Sequence, residues 1–186
     1  MSYLEDLFSL HGRTALVTGG ATGLGAMLAE GLVRAGANVV IASRKLPACQ
    51  ETADRLTELG PGTAQVAQVD VADEADLVRF AAEIGTAHPK LDILINNAGV
   101  SWGAPFESFP HAQWARVMGV NVAAPFTMTR ELLPALKAAA SPECPARVVN
   151  IGSIMGTAPV AEGAYSYTAS KAAVHHLTRT LAGELA

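Results

Sequence analysis

Tyr167 and Lys171 stand four residues apart in Tyr167-Thr-Ala-Ser-Lys171, a spacing that puts both side chains on one face of a helix. The chemistry such a pair can perform is proton exchange. Unit charges ~4 Å apart interact by about 4 kcal/mol at an effective dielectric of ~20. An ammonium beside a phenol therefore favours the phenolate and readies the hydroxyl as an acid–base group near neutral pH. An isolated pair of this kind is also what an ordinary amphipathic helix carries, so its meaning depends on its surroundings. Tyr165 lies close by, but four residues beyond it stands Ala169, which leaves Tyr167 as the candidate.

A second chemical feature is Thr18-Gly-Gly-Ala-Thr-Gly-Leu-Gly25. Between a strand and a helix, such glycines adopt torsions other residues resist and let the main chain approach a pyrophosphate. The unpaired N–H groups of the helix start then point at the anion. Gly19, Thr22, Gly23, Leu24 and Gly25 are the candidate phosphate-binding residues. About 20 residues further on, an acid would accept a ribose 2′-hydroxyl and an Arg would accommodate a 2′-phosphate. Here Ala42-Ser43-Arg44-Lys45 offers no acid, and the next one is Glu51. Arg44 supplies a planar fork for phosphate oxygens, Ser43 a hydroxyl and Lys45 a supporting charge, so NADP(H) is expected over NAD(H).

The elements that must position these groups alternate along the chain. Short Val-, Ile- and Leu-rich runs predict strands at Thr14–Thr18, Asn38–Ala42, Ala64–Val69, Ile93–Asn96 and Arg147–Ile151. Helical patterns fall between them at Gly25–Ala35, Leu46–Leu59, Glu74–Thr86, His111–Ala140 and from Tyr165 to the end. Leu28 with Leu32 and Ala29 with Val33 give the first of these helices a sheet-facing stripe. Repeated βαβ units of this kind make an α/β fold with a parallel sheet buried on both faces. Open sheets of that class bind ligands beyond their strand C-termini. Asn96-Asn97-Ala98-Gly99 and Gly152-Ser153 both fall there.

Taken together and in this order, TGxxxGxG at 18–25, NNAG at 96–99, Ser153 and YxxxK at 167–171 closely resemble the short-chain dehydrogenase/reductase family. The similarity covers nearly the whole chain. It implies a three-layer Rossmann-like domain with strand order 3-2-1-4-5 and the cofactor across the switch point between the first and fourth strands. By the same resemblance Tyr167 gives a proton to a carbonyl during reduction and Ser153 positions and polarises the carbonyl oxygen. Lys171 holds the nicotinamide ribose and draws on the phenol, while Asn121, in Val120-Asn-Val122, retains a water behind the lysine. Asp70, with Val71 after the third strand, reaches the adenine, and Asn97, Ala98 and Gly99 flank the adenosine ribose. Three stretches, 97–103, 145–153 and 170–176, look most like bacterial NADPH-dependent 3-oxoacyl reductases of the rhamnolipid-associated kind. Trp102, Met155, Pro159 and Val160 suggest an apolar substrate lining. Members of the family continue beyond the YxxxK helix, so the chain is expected to be one domain lacking the usual C-terminal strands, with a homo-oligomer expected for the full length. A nucleotide-binding fragment without turnover is the alternative.

Composition narrows the remaining classes. Half of the 186 residues are apolar, 16% are charged and the net charge is −4, with no basic cluster beyond Arg44-Lys45. Disorder, nucleic-acid binding and an anionic membrane surface are not expected. Cys49 and Cys144 show no metal-ligand spacing, and no metal is expected. No signal peptide or long apolar run is visible, which predicts a cytoplasmic protein acting on a small carbonyl substrate. Gly99-Val-Ser101-Trp-Gly103 fits the G-x-S-x-G elbow of serine hydrolases, but that turn needs a helix directly after the serine. Here Ala104-Pro105 follows, and the residue before a Pro disfavours helix. His175 and His176 diverge by ~100° on a helix, so packing or an oligomer surface is expected of them rather than chelation.

Overall fold

The short apolar runs form five parallel strands in one sheet. The computed structural model describes residues 3–158 and 163–185. In chain order the elements are α1 (Tyr3–Phe8), β1 (Thr14–Thr18), α2 (Gly23–Arg34), β2 (Asn38–Ser43), α3 (Leu46–Thr57), β3 (Thr63–Gln68), α4 (Glu74–Ala87) and β4 (Ile93–Asn96). There follow α5 (Ala112–Met118), a π-helical turn at Gly119–Ala123, α6 (Ala124–Ala139), β5 (Arg147–Asn150) and α7 (Tyr165–Leu185). Short 3₁₀ turns stand at Phe106–Ser108 and Ile154–Gly156. The sheet order is β3-β2-β1-β4-β5 and every pairing is parallel, as expected from the sequence.

Period-two alternation along β1 builds the three layers. Ala15 and Val17 face one side, where Ala29 and Val33 of α2 and Cys49 and Leu56 of α3 close over them. Leu16 faces the other, against Leu77, Phe80 and Ile84 of α4 and Met128 and Leu132 of α6. Both faces are therefore dry, which explains why the strands read as continuous apolar runs. Asp92 fixes the starts of β1 and β4 together: its carboxylate accepts from the Arg13 guanidinium at 2.8 Å and from the Thr14 N–H at 2.9 Å.

Two departures from the expected elements matter for the site. The stretch expected as one helix over His111–Ala140 begins at Ala112 and contains the π-helical turn, whose extra residue per turn rotates Asn121 inward until it is buried. Such bulges recur at functional sites. α2 starts at Gly23 rather than Gly25 and has no side-chain cap at Thr22, whereas α4 is capped by Asp73, whose carboxylate accepts from the Ala75 and Asp76 N–H groups. The N–H groups at the start of α2 are thus left for an anion.

Candidate active site

The strand C-termini open onto two adjoining clefts. The first, of about 370 Å³, is lined by Gly19 and Thr22 of the glycine-rich loop, Ser43, Arg44 and Lys45 beyond β2, and Asp70 and Val71 beyond β3. Asn97, Ala98, Gly99 and Val100 beyond β4 complete it, together with Arg116 and Val120. The second, of about 640 Å³, is lined by Leu24, Ser101, Trp102, Ile151, Gly152, Met155, Tyr167 and Lys171. Asn97, Gly99 and Val100 line both, so the two are one continuous crevice across the switch point between β1 and β4.

Local hydrogen bonding explains how the loop holds its shape. Gly19 (φ +65°) and Gly23 (φ +54°) occupy the left-handed region that side chains resist. The Asn97 side-chain amide donates to the Thr18 and Gly19 carbonyls at 3.0 and 3.1 Å. The buried Thr18 hydroxyl accepts from the Asn97 and Ala98 N–H groups at 3.1 Å each. β4 is thereby stitched to the loop. A Cβ on Gly25 would collide with the Gly19 carbonyl oxygen and the Asn97 amide, so this glycine serves close packing of α2 on the loop. Neither it nor Gly23 lines a cleft.

The cationic end of the first cleft has the groups expected of it. Arg44 and Lys45 are exposed, and neither joins an ion pair among the described residues. The Ser43 hydroxyl accepts from the Lys45 N–H at 3.1 Å and the Cys49 thiol at 3.3 Å. Its own proton is then free to point at an acceptor. Asp70 holds its loop, accepting from the Ala72 N–H at 3.0 Å while its N–H donates to Asp76 at 2.7 Å.

In the second cleft, Lys171 is only 6% exposed. Its Nζ donates to the Ile151 carbonyl at 2.6 Å and stands 5.7 Å from the centre of the Tyr167 ring. Burial disfavours the ammonium and lowers its pKa below the ordinary lysine value. Ser153 sits in extended backbone and its Oγ accepts from the Met155 N–H at 3.2 Å, starting the 3₁₀ turn. Asn121 is buried beside the site: its amide donates to the Val100 carbonyl and the Ser170 hydroxyl and accepts from the Val100 N–H, each at 2.9 Å. Both side-chain donors are taken by protein groups, so the amide ties the end of β4 to α7. Trp102 and Met155 line the cleft as expected, while Pro159 and Val160 lie outside the described residues. Ser101 also lines it, but residues 97–105 carry no helix, which removes the hydrolase elbow.

Sequence reasoning missed Arg116, and it expected packing or an oligomer surface of His175 without placing it at Ser153. Arg116 lines the first cleft because α5 leans over it; no motif marks it. His175 is packed behind Ser153, its Nε2 accepting from the Ser153 N–H at 3.4 Å.

A doubly wound parallel sheet with a glycine-rich crevice leading to a tyrosine–lysine pair defines an oxidoreductase that uses a nicotinamide dinucleotide. The chain belongs to the short chain dehydrogenase family, whose family model matches residues 13–186. It is 50% identical over 182 residues to the rhamnolipids biosynthesis 3-oxoacyl-[acyl-carrier-protein] reductase of Pseudomonas aeruginosa, covering 98% of this chain and 70% of that one. It is 37% identical over 181 residues to gluconate 5-dehydrogenase of Gluconobacter oxydans, covering 95% and 67%. Among solved structures it is similar to the Pseudomonas aeruginosa RhlG/NADP active-site complex, with a TM-score of 0.92 and 50% identity over 96% of this chain and 69% of that one.

Proposed function

We propose that this chain reduces a ketone of the 3-oxoacyl class with NADPH, in a reversible reaction whose proton comes from Tyr167. The observation that carries the reading is the continuity of the two clefts through Asn97, Gly99 and Val100, with Tyr167 and Lys171 lining the far one. The residues fit the cofactor: an uncapped α2 start, Gly19 in the left-handed region and an exposed Arg44 just beyond β2 that joins no ion pair among the described residues. When bound, the nicotinamide supplies the hydride.

The chain's own groups supply binding and the proton. Gly19, Thr22 and Leu24 at the uncapped α2 start would hold the pyrophosphate, Arg44 with Ser43 and Lys45 would hold the 2′-phosphate, and Asp70 and Val71 would meet the adenine. Because the Met155 N–H occupies a Ser153 lone pair, the Ser153 hydroxyl keeps its proton for a carbonyl oxygen. Tyr167 Oη passes its proton to that oxygen as negative charge develops, and the Lys171 ammonium stabilises the phenolate left behind. Leu24, Val100, Trp102 and Met155 give the acyl part an apolar wall. Asn121 orders this arrangement from behind, through Val100 and Ser170.

The same reading carries a cytoplasmic location and a homo-oligomer. Exposed Trp114 and Phe126 support the latter, and no helix among the described residues is long and apolar enough to cross a membrane. Sedimentation velocity tests the oligomer. An NADPH-consumption screen over 3-oxoacyl thioesters, sugars and steroid ketones tests the reaction. Thioesters are expected to give the highest kcat/KM, with NADPH bound about tenfold or more tighter than NADH. Tighter NADH, or faster sugar oxidation than thioester reduction, overturns the assignment.

A further inference from the structure

α7 presents His175 one turn beyond Lys171 on the same face, against the Gly152–Gly156 turn that carries Ser153. Three observations place the imidazole in that turn. Its Nε2 accepts from the Ser153 N–H at 3.4 Å, the sole partner of that N–H among the described residues. A Cβ on Gly152 would collide with Nε2, and one on Gly156 would stand 2.8 Å from Cε1. Gly152, next to Ser153, is thus bare where the ring lies, and Gly156 is bare against both the ring and the α7 backbone at Lys171. His176, the next residue, is exposed and faces away.

We propose that His175 is the positioning residue of Ser153: the neutral ring seats between Gly152 and Gly156 and, through Nε2, sets where the Ser153 hydroxyl points. The inference rests on the reading of Ser153 as the group that polarises the carbonyl. In a neutral imidazole with an accepting Nε2, the ring proton sits on Nδ1. Ser153 is then held from two sides, its N–H by His175 and its Oγ by the Met155 N–H. Only the hydroxyl proton is left to direct. A displacement of about 1 Å in such a group costs ~100-fold in rate. The ring itself lines neither cleft, so its loss appears in turnover and not in cofactor affinity.

The test compares His175→Leu, His175→Gln and Ser153→Ala in the same chain, using acetoacetyl-coenzyme A and NADPH. The glutamine side chain can return an acceptor near the Nε2 position, and leucine cannot. His175→Leu is expected to lose about 10–100-fold in kcat, with KM changed less than about threefold and NADPH affinity less than about twofold. His175→Gln should recover to within about fivefold of the parent. A His175→Leu chain that keeps its kcat while Ser153→Ala loses it overturns the inference and leaves the reading of Ser153 standing. Equal losses in the leucine and glutamine variants, or a matching loss of NADPH affinity, overturn it too, because they mark a packing role. Full turnover in Ser153→Ala instead overturns the reading beneath.

Discussion

Thr18→Val removes one hydroxyl from the point where β1, β4 and the glycine-rich loop meet, and nearly preserves the side chain's shape. Thr18 is 3% exposed, and its Oγ1 accepts from the Asn97 and Ala98 N–H groups. The Asn97 N–H has a second acceptor, the Ile95 carbonyl at 3.1 Å, so losing Thr18 weakens that bond without orphaning the donor. The Ala98 N–H is left with no partner. An orphaned donor at this part-buried position costs about 1–3 kcal/mol and a weakened neutral bond ~0.5–1 kcal/mol, giving a destabilisation of roughly 1.5–4 kcal/mol. For a chain of this length that lowers Tm by about 3–16 °C. Urea unfolding followed by circular dichroism measures it, with Thr18→Ser, which keeps the hydroxyl, as the control. A loss below about 1 kcal/mol in Thr18→Val, or an equal loss in Thr18→Ser, refutes the assignment of the hydroxyl as the stitch.

Arg44→Asp should weaken NADPH by about 10–100-fold, the worth of a charge-assisted phosphate contact, while NADH binding is kept or improved; parallel losses for both cofactors would contradict the 2′-phosphate role. Gly25→Ala should both destabilise the chain and cost at least ~10-fold in NADPH affinity, since its methyl collides with Gly19 and Asn97; unchanged affinity by fluorescence titration would refute this. The amine of Lys171 is shifted below its ordinary value by burial. In the window between the lowered folded value and the ordinary one, the unfolded chain binds more protons, so stability rises with pH. The urea midpoint of the parent should therefore climb relative to Lys171→Met between neutral pH and pH ~10; a constant difference would contradict the linkage.

How legible these features were depended on whether local chemistry or tertiary placement sets them. β1 and β4 match their expected limits because glycine or asparagine turns bound short apolar runs. β3 begins one residue earlier, at Thr63, where pairing with Asn38 rather than side-chain pattern extends the ladder. α1 carries a single i, i+3, i+4 set, Leu4, Leu7 and Phe8, and six residues are too short a window for periodicity to announce a helix. The π-helical turn was hidden because one inserted residue barely disturbs helical periodicity, yet it decides where Asn121 points. Arg44, Tyr167 and Lys171 were readable from type and spacing. Arg116 and the place of His175 were not, since each is set only by the way α5 or α7 packs. Asn121 is marked in the sequence only by its place in Val120-Asn-Val122, and its amide partners, Val100 and Ser170, come from the tertiary fold.

The central claim is that Tyr167 supplies the proton for carbonyl reduction in a crevice that binds NADPH independently of that hydroxyl. Tyr167→Phe removes one oxygen and keeps the ring beside Lys171. NADPH affinity by fluorescence and NADPH oxidation with acetoacetyl-coenzyme A, measured on the same preparation, give the direct test. The account predicts affinity within about twofold of the parent and turnover reduced by at least ~100-fold. Retained turnover with normal binding would contradict it.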